Sequence, residues 1–316
     1  GHDYINDADE RYEFYHRQEE KIPFDLDYMN RITKGGLPRK SLNICIASTG
    51  VGKSMFMCHH AASILTQGKN VLYITLEMAE ERIAERIDAN LMNVPLDQLE
   101  NLSYNQYSDK IGNIVKRNIG KLIIKEYPTG AAHAGHFRAL LEELKLKSDF
   151  APDIIFIDYL NICSSSRMRG LGGSINTYSL VKSIAEEIRG LSIENDLPIV
   201  TATQSNRDGF GNSDVDLNNT SESFGVPATA DLMFALISNE ELQKLGQVMV
   251  KQLKNRYSDP TQNKRFVLGV DKSKMRFYDV EDSAQTLIDS GNDAPVFDST
   301  TMGARMSVNK FENIKV

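Results

Sequence analysis

The chain has 316 residues and a net charge of −7, with 25% charged and 41% hydrophobic residues. That is the balance of an ordinary soluble globular protein, long enough for one large domain or two small ones. It excludes an indiscriminate nucleic-acid coat protein, and no run approaches the roughly 18–20 apolar residues of a membrane span. A channel with a few basic residues gathered on one inner surface remains compatible with the acidic balance. Cys45, Cys58 and Cys163 stand in apolar or helical context without metal-ligand spacing, which reads as reduced core thiols in a cytosolic protein. No secretory signal leads the sequence.

Gly1-His2 reads as a cloning scar. Residues 1–20 are expected to form a linker helix, since Tyr4, Ala8, Tyr12 and Tyr15 share one helical face. That face either packs on its own domain or docks on a neighbouring subunit. Turn chemistry at 33–42 leads into the first apolar run. Strands are predicted at 43–47, 71–76, 121–125, 154–157, 198–203, 232–237 and 247–253. Helices at 53–66, 79–91, 109–118, 135–147 and 177–195 separate the earlier ones. This alternation predicts an α/β fold with a mostly parallel central sheet flanked by helices. The late strands follow one another directly and predict an antiparallel edge. One domain accounts for 21–281, and 282–316 reads as a mobile tail or partner-binding peptide. His59-His60, His133 and His136 read as solvated or capping residues, not ligands.

Four constellations carry chemistry. Ala47-Ser48-Thr49-Gly50-Val51-Gly52-Lys53-Ser54 matches the phosphate-loop pattern G-x-x-x-x-G-K-[ST] with alanine at the first glycine. Gly50 and Gly52 let backbone N–H groups turn toward phosphate oxygens at a helix start. Ser48, Thr49, Gly50, Val51, Gly52, Lys53 and Ser54 are the expected nucleotide-binding residues. Lys53 would reach the β- and γ-phosphates and Ser54 would ligate Mg²⁺. Asp158 ends the apolar run Ile154–Ile157 and is the expected second Mg²⁺ holder. Glu77 ends a strand expected beside the phosphate-loop strand, placed to activate a water. Gln204 ends another strand, placed to sense the γ-phosphate and pass its presence to the long polar loop 207–225.

Ala-Ser-Thr-Gly-Val-Gly-Lys-Ser, Leu-Glu-Met, Ile-Asp-Tyr-Leu, Thr-Gln-Ser-Asn-Arg and Lys-Asn-Arg occur in that order. Over about 22–280 this set resembles the RecA-like motor domain of DnaB-family hexameric replicative helicases, nearest their T-even-type phage branch. The resemblance implies a RecA-like P-loop NTPase fold and a homo-hexameric ring. It implies movement 5′ to 3′ on single-stranded DNA driven by ATP or GTP with Mg²⁺. Primase and a helicase loader are the implied partners, and the cytoplasm of a phage-infected bacterium the implied location. The family's amino-terminal collar domain has no counterpart in the sequence. Lys254 and Arg256 match the family's Lys-x-Arg motif. They are expected at the tip of a hairpin at the sheet edge, placed to reach a neighbour's nucleotide. Where the family often reads Arg-Glu-Ser-Gly and contacts DNA, this chain reads Ser221-Glu222-Ser223-Phe224-Gly225. Glu222, Ser223, Gly225 and Arg207 are the expected DNA contacts there, with Arg167 and Arg169 an alternative contact.

Two other readings share part of this pattern. A RecA-type recombinase filament shares the phosphate loop and Asp158, but Lys254-Asn255-Arg256 fits the helicase better. A non-hydrolysing, nucleotide-dependent assembly scaffold would have no use for Glu77.

Overall fold

The computed structural model describes residues 3–16, 19–167, 177–204 and 228–285. The chain divides into two compact units, Gly1–Val280 and Glu281–Val316. Of the second, only the stretch 281–285 is described, with a short helix Asp282–Gln285.

Helix α1 (Ala8–His16) buries none of its residues, and Tyr4, Tyr12 and Tyr15 are exposed. The aromatic face predicted from their spacing is therefore not covered within the described chain. A two-residue strand pair, β1 (Lys21–Ile22) with β2 (Leu37–Pro38), brackets α2 (Asp27–Thr33). The main body then alternates: β3 (Leu42–Ala47), α3 (Lys53–Thr66), β4 (Val71–Thr75), α4 (Glu80–Met92), α5 (Tyr104–Val115), β5 (Leu122–Glu126), α6 (Ala134–Ser148), β6 (Ile154–Asp158), α7 (Thr177–Glu194) and β7 (Ile199–Gln204). It ends in β8 (Leu232–Ile237), β9 (Gln247–Asn255), β10 (Arg265–Asp271) and β11 (Arg276–Asp279).

The nine-stranded sheet has the order β11-β10-β9-β8-β3-β7-β6-β4-β5. Neighbours from β8 to β5 pair in parallel, and β9, β10 and β11 extend the sheet antiparallel. The predicted mixed architecture is thus present. β3, β4, β6, β7 and β8 are buried along nearly their whole length, because both sheet faces are covered.

Helix α3 buries every residue from Met55 to Leu65, as expected of a helix without a polar face. Phe56 packs edge-on against Phe234 of β8 at 5.3 Å and Phe277 of β11 at 5.5 Å. The histidines of α3 are buried, contrary to the solvated reading: His59 is 4% and His60 1% exposed. His59 Nε2 lies 3.0 Å from Asp25, and its Nδ1 accepts from Asn90 and the Phe277 amide. His60 stacks on Phe24 at 4.1 Å, and burial pushes its pKa down to about 3. Both serve as aromatic packing, because a helix turned inward leaves them little face for water. His133 and His136 do cap, forming a reciprocal pair at the start of α6. All three cysteines are buried free thiols, and burial pushes Cys58 and Cys163 up to about 12.

Three features of the fold differ from expectation. Helix α5 begins at Tyr104, five residues earlier than predicted, because Ser103 and Gln106 form a capping box. A five-residue helix, Glu240–Lys244, separates β8 from β9, capped by Asn239. And β4 does not lie beside β3, since β7 and β6 intervene. Hydrophobic runs reveal which strands are buried, not which are neighbours, and chain order specifies neighbours only part of the time. Among the described residues no helix is long and apolar enough to cross a membrane.

Replacing Phe56 by Ala removes the ring that ties α3 to both β8 and β11. A loss of about 3–5 kcal/mol is expected for such a buried truncation. At this size it should lower the melting temperature by roughly 10 °C in a calorimetric scan.

Candidate active site

β3 delivers the chain to the phosphate loop from the middle of the sheet. After Ala47, Val51 N–H donates to Ser48 O at 3.3 Å, and Phe56 N–H donates to Gly52 O at 2.8 Å as α3 begins. Gly50 and Gly52 have φ of +79° and +124°, a region L side chains enter at a cost. These two glycines are what turn the loop. Lys53 Nζ donates to Ala47 O at 3.4 Å, so the ammonium folds back over the loop. Thr49 through Met55 line a cleft of about 340 Å³ that Glu77, Met78, Tyr159 and Gln204 also line.

Asp158, the last residue of β6, is fully buried. Its Oδ2 accepts from the Tyr73 hydroxyl at 3.0 Å, whereas Oδ1 is buried without a hydrogen-bond partner. Burial raises its pKa, while the nearby Ser54 and Tyr73 hydroxyls and Lys53 oppose the rise and Glu77 adds to it. A buried carboxylate oxygen left unbonded is costly, and a hard cation is the partner this geometry accepts. Ser54 and Asp158 supply the oxygen donors Mg²⁺ prefers. Among the described residues no cluster of three or more His, Cys, Asp or Glu is poised to bind metal. Mg²⁺ is commonly held by one or two protein oxygens and completed by water and phosphate. The residues fit Mg²⁺.

Glu77 is placed differently from the expectation. β4 ends at Thr75, and Glu77 stands exposed in the turn before α4. The Thr75 hydroxyl closes that turn, donating to Met78 O at 2.7 Å and accepting from Met78 N–H at 3.1 Å. Two strands separate β4 from β3, yet the turn still brings Glu77 into the cleft. Gln204 does end β7, and its Nε2 donates to Thr49 Oγ1 at 2.5 Å. Its Oε1 accepts from the Tyr159 hydroxyl at 3.4 Å. The amide thus bridges the phosphate loop and the residue after Asp158.

Sequence reasoning missed part of the lining. Arg86, Lys272 and Met275 border the same cleft. Arg86 is hidden among the charges of α4, and Lys272 and Met275 lie on the β10–β11 turn, more than 200 residues from the phosphate loop. No local pattern marks them. Met275 has φ of +53°, and its carbonyl is held by the Asn90 side chain at 2.7 Å.

The β9–β10 ladder ends at Lys251 opposite Arg265, so Lys254 and Arg256 lie beyond it toward the hairpin turn, as expected, but not as a free tip. Lys254 lies within β9, opposite Met233 of β8, because that ladder continues to Asn255. Arg256 is the first residue beyond the strand. β9 is also not the edge, since β10 and β11 lie outside it. Arg256 N–H donates to Asp231 O at 2.9 Å, and Asp231 N–H donates to Leu42 O at 2.8 Å. Leu42 begins β3, so Arg256 sits at the opposite end of that strand from the phosphate loop, about 17 Å away along the chain direction. Burial lowers the Lys254 pKa, with Arg256 contributing in the same sense.

Of the expected DNA contacts, Arg167 is described, and its guanidinium is paired with Glu186 of α7 at 2.6 Å. Arg169, Arg207, Glu222, Ser223 and Gly225 lie outside the described residues.

Comparison with known proteins gives a consistent result. The family model "DnaB-like helicase C terminal domain" matches residues 22–275. The chain is 45% identical over 290 residues to the DnaB-like replicative helicase of Enterobacteria phage T4, covering 90% of this chain and 61% of that one. It is 26% identical over 261 residues to a probable plasmid replicative DNA helicase of Chlamydia psittaci, covering 77% and 55%. The chain therefore spans less than two thirds of the relatives it matches. Among solved structures, an isolated ATPase domain superposes with TM-score 0.72 at 17% identity, covering 89% of this chain and 100% of that one. A DnaB-like replicative helicase studied with its primase interactions superposes at 0.70 and 16% identity, covering 89% and 68%. These likenesses establish the RecA-like ATPase fold. With the family match spanning most of the nucleotide cleft and of the sheet around it, the chain belongs to the DnaB-like helicase C-terminal domain family.

Proposed function

We propose that this chain is the motor domain of a replicative DNA helicase. It hydrolyses ATP or GTP with Mg²⁺ and moves 5′ to 3′ along single-stranded DNA as a hexameric ring. The observation that carries the reading is the partnerless Asp158 Oδ1, buried beside a glycine-turned loop in a cleft that Glu77 and Gln204 share. The 45% identity to the phage T4 helicase supports it. Primase is a proposed partner, because a solved DnaB-like relative is described with its primase interactions. A helicase loader is proposed with it.

In this reading the N–H groups of residues 50–54 and the Lys53 ammonium hold the β- and γ-phosphates. Ser54 and Asp158 hold Mg²⁺, which supplies charge neutralisation on the phosphate oxygens. Glu77 orients the attacking water and takes its proton. Gln204, bonded to Thr49, registers the γ-phosphate and relays its presence toward the DNA-facing segment after residue 204. Arg256 and Lys254 serve the phosphate of a neighbouring subunit, since their own loop is at the far end of β3. An arginine placed in this way can fork two N–H groups onto phosphate oxygens.

Glu77→Gln is expected to bind nucleotide almost normally yet hydrolyse it at less than about a tenth of the wild-type rate, since general-base catalysis contributes roughly 10²–10⁴-fold. Lys53→Ala should lose nucleotide binding as well. Phosphate release and fluorescent-nucleotide titration measure the two effects separately, and a Glu77→Gln protein with near-normal turnover would remove the water-activating role.

Arg256→Ala should bind nucleotide but hydrolyse almost none, an external arginine being worth roughly 10³–10⁵ in turnover. Mixed with Lys53→Ala subunits it should regain activity, because some interfaces then pair an intact loop with an intact arginine. Absence of recovery despite verified co-assembly would return Arg256 to its own subunit or to no catalytic role.

DNA binding should require both single strands and nucleotide, because in a chain of net charge −7 the contacts become effective only when gathered in a ring. Affinity should fall with salt on a shallow slope, few cations being available to displace counterions. Fluorescence anisotropy over a salt series checks this, and equal affinity for duplex without nucleotide would contradict it.

A further inference from the structure

The anchorage of Arg256 is built more heavily than a surface arginine needs. Asp231 is buried at the start of β8, its side chain 10% exposed. Its Oδ1 accepts from Arg256 Nη1 at 3.1 Å. Its Oδ2 accepts from the Leu42 amide at 2.9 Å and from Arg189 Nη1 of α7. Arg189 Nη1 also donates to Thr229 O at 3.2 Å, and Lys254 Nζ donates to Ala228 O at 3.0 Å. The carboxylate plane is thereby fixed from one side by the central strand and by a second guanidinium. Only Oδ1 is turned to Arg256, whose own side chain stays 51% exposed.

Arg189 and Arg256 both donate to this one carboxylate, and Lys254 donates beside it to Ala228 O. A simple surface ion pair would neutralise Arg256 and contribute little. Here the buried acid holds one nitrogen of a long flexible side chain while half of that side chain faces outward. A freely rotating arginine loses much rotamer freedom when it engages phosphate, and a pre-aimed one loses less.

We propose that Asp231 is a positioning residue for hydrolysis in the neighbouring subunit: it aims the Arg256 guanidinium outward from the amino end of β8. The proposal rests on the reading of Arg256 as a trans-acting residue. It adds a residue that touches no nucleotide and controls turnover through another side chain. Residues 228–231 directly follow the sequence segment expected to meet DNA. The backbone that carries the anchor is therefore also the backbone on which that segment ends.

The test compares Asp231→Asn and Asp231→Glu in steady-state hydrolysis, nucleotide titration and subunit mixing. Asn keeps an acceptor for the Leu42 amide but withdraws the charge from Arg256. Glu keeps the charge and displaces it. The expected order of kcat is wild type, then Asp231→Glu, then Asp231→Asn, the last lower by roughly 10–100-fold as for a misplaced catalytic group. KM and nucleotide affinity should stay within about twofold, because the phosphate loop is at the other end of β3. Mixing Asp231→Asn with Lys53→Ala subunits should restore activity, since the Lys53→Ala subunits present a correctly held Arg256. An Asp231→Asn protein with near wild-type kcat overturns the proposal. So does a kcat loss that mixing does not restore although Arg256→Ala is restored in parallel, which would mean the carboxylate only supports its own subunit's fold. If neither variant is restored by mixing, the trans reading of Arg256 fails first. Should Asp231→Asn not fold, Asp231→Glu carries the same comparison, with unchanged kcat the overturning result.

Discussion

Parallel pairing on both sides of β3 is the constraint on which the rest of the molecule depends. Leu42 to Ala47 is bonded to β7 along its whole length and to β8 over most of it, and it is buried throughout. A strand held in this way cannot shift lengthwise without breaking two ladders at once. Its carboxyl end therefore presents the phosphate loop at a fixed height and its amino end presents the Leu42 amide at another. Gln204 arrives level with Ala47, and Asp158 two positions short of it, opposite Thr75, because β6 and β7 run in register with their neighbours. The chemistry of the cleft is a consequence of strand ends meeting in a row, where open α/β sheets bind ligands.

The same rigidity separates the two cationic groups. Lys53, Arg86 and Lys272 border the phosphate-loop cleft, whereas Arg189, Lys254 and Arg256 gather at the opposite end of the parallel strands. Within one rigid sheet these two sets do not meet. A ring of copies, in the function proposed above, is what brings one subunit's far end to another subunit's cleft. The acidic overall charge is compatible with that proposal because these cations are concentrated, while others, such as Arg167 with Glu186, are engaged in internal pairs.

Helix α3 shows how packing redefines residue roles. Two adjacent histidines on a helix invite a ligand reading or a solvated one. Buried beneath the segment that carries Phe24 and Asp25, they serve as aromatic surface. His59 is satisfied by Asp25, Asn90 and a backbone amide, and His60 is held neutral by desolvation. Asn90, in turn, also holds the carbonyl of Met275, so the core beneath α3 is continuous with the turn that borders the nucleotide cleft.

The α/β class, the alternation of the main strands and helices, the phosphate-loop pattern and the strand-ending positions of Asp158 and Gln204 were legible in the sequence. Each is announced by a local pattern: apolar runs of strand length, a glycine-lysine turn between strand and helix, a polar residue ending an apolar run. The Ser103–Gln106 capping box of α5 is equally local. Other features have no local signature. The lateral order of the strands, which puts β7 and β6 between β3 and β4, is a choice among pairings that leave every apolar run equally buried. The lining residues Arg86, Lys272 and Met275 are joined to the phosphate loop only by the sheet's crossovers. Lys254 was recognisable by its motif, but its position in the β8–β9 ladder depends on backbone groups of β8 being there to receive it. Nothing near Asp231 in the chain announces Arg189 or Arg256 as its partners. Burial and turn chemistry are properties of short stretches and are written in the sequence. Which stretches become neighbours depends on contacts between distant residues, and these exist only once the sheet has closed around β3.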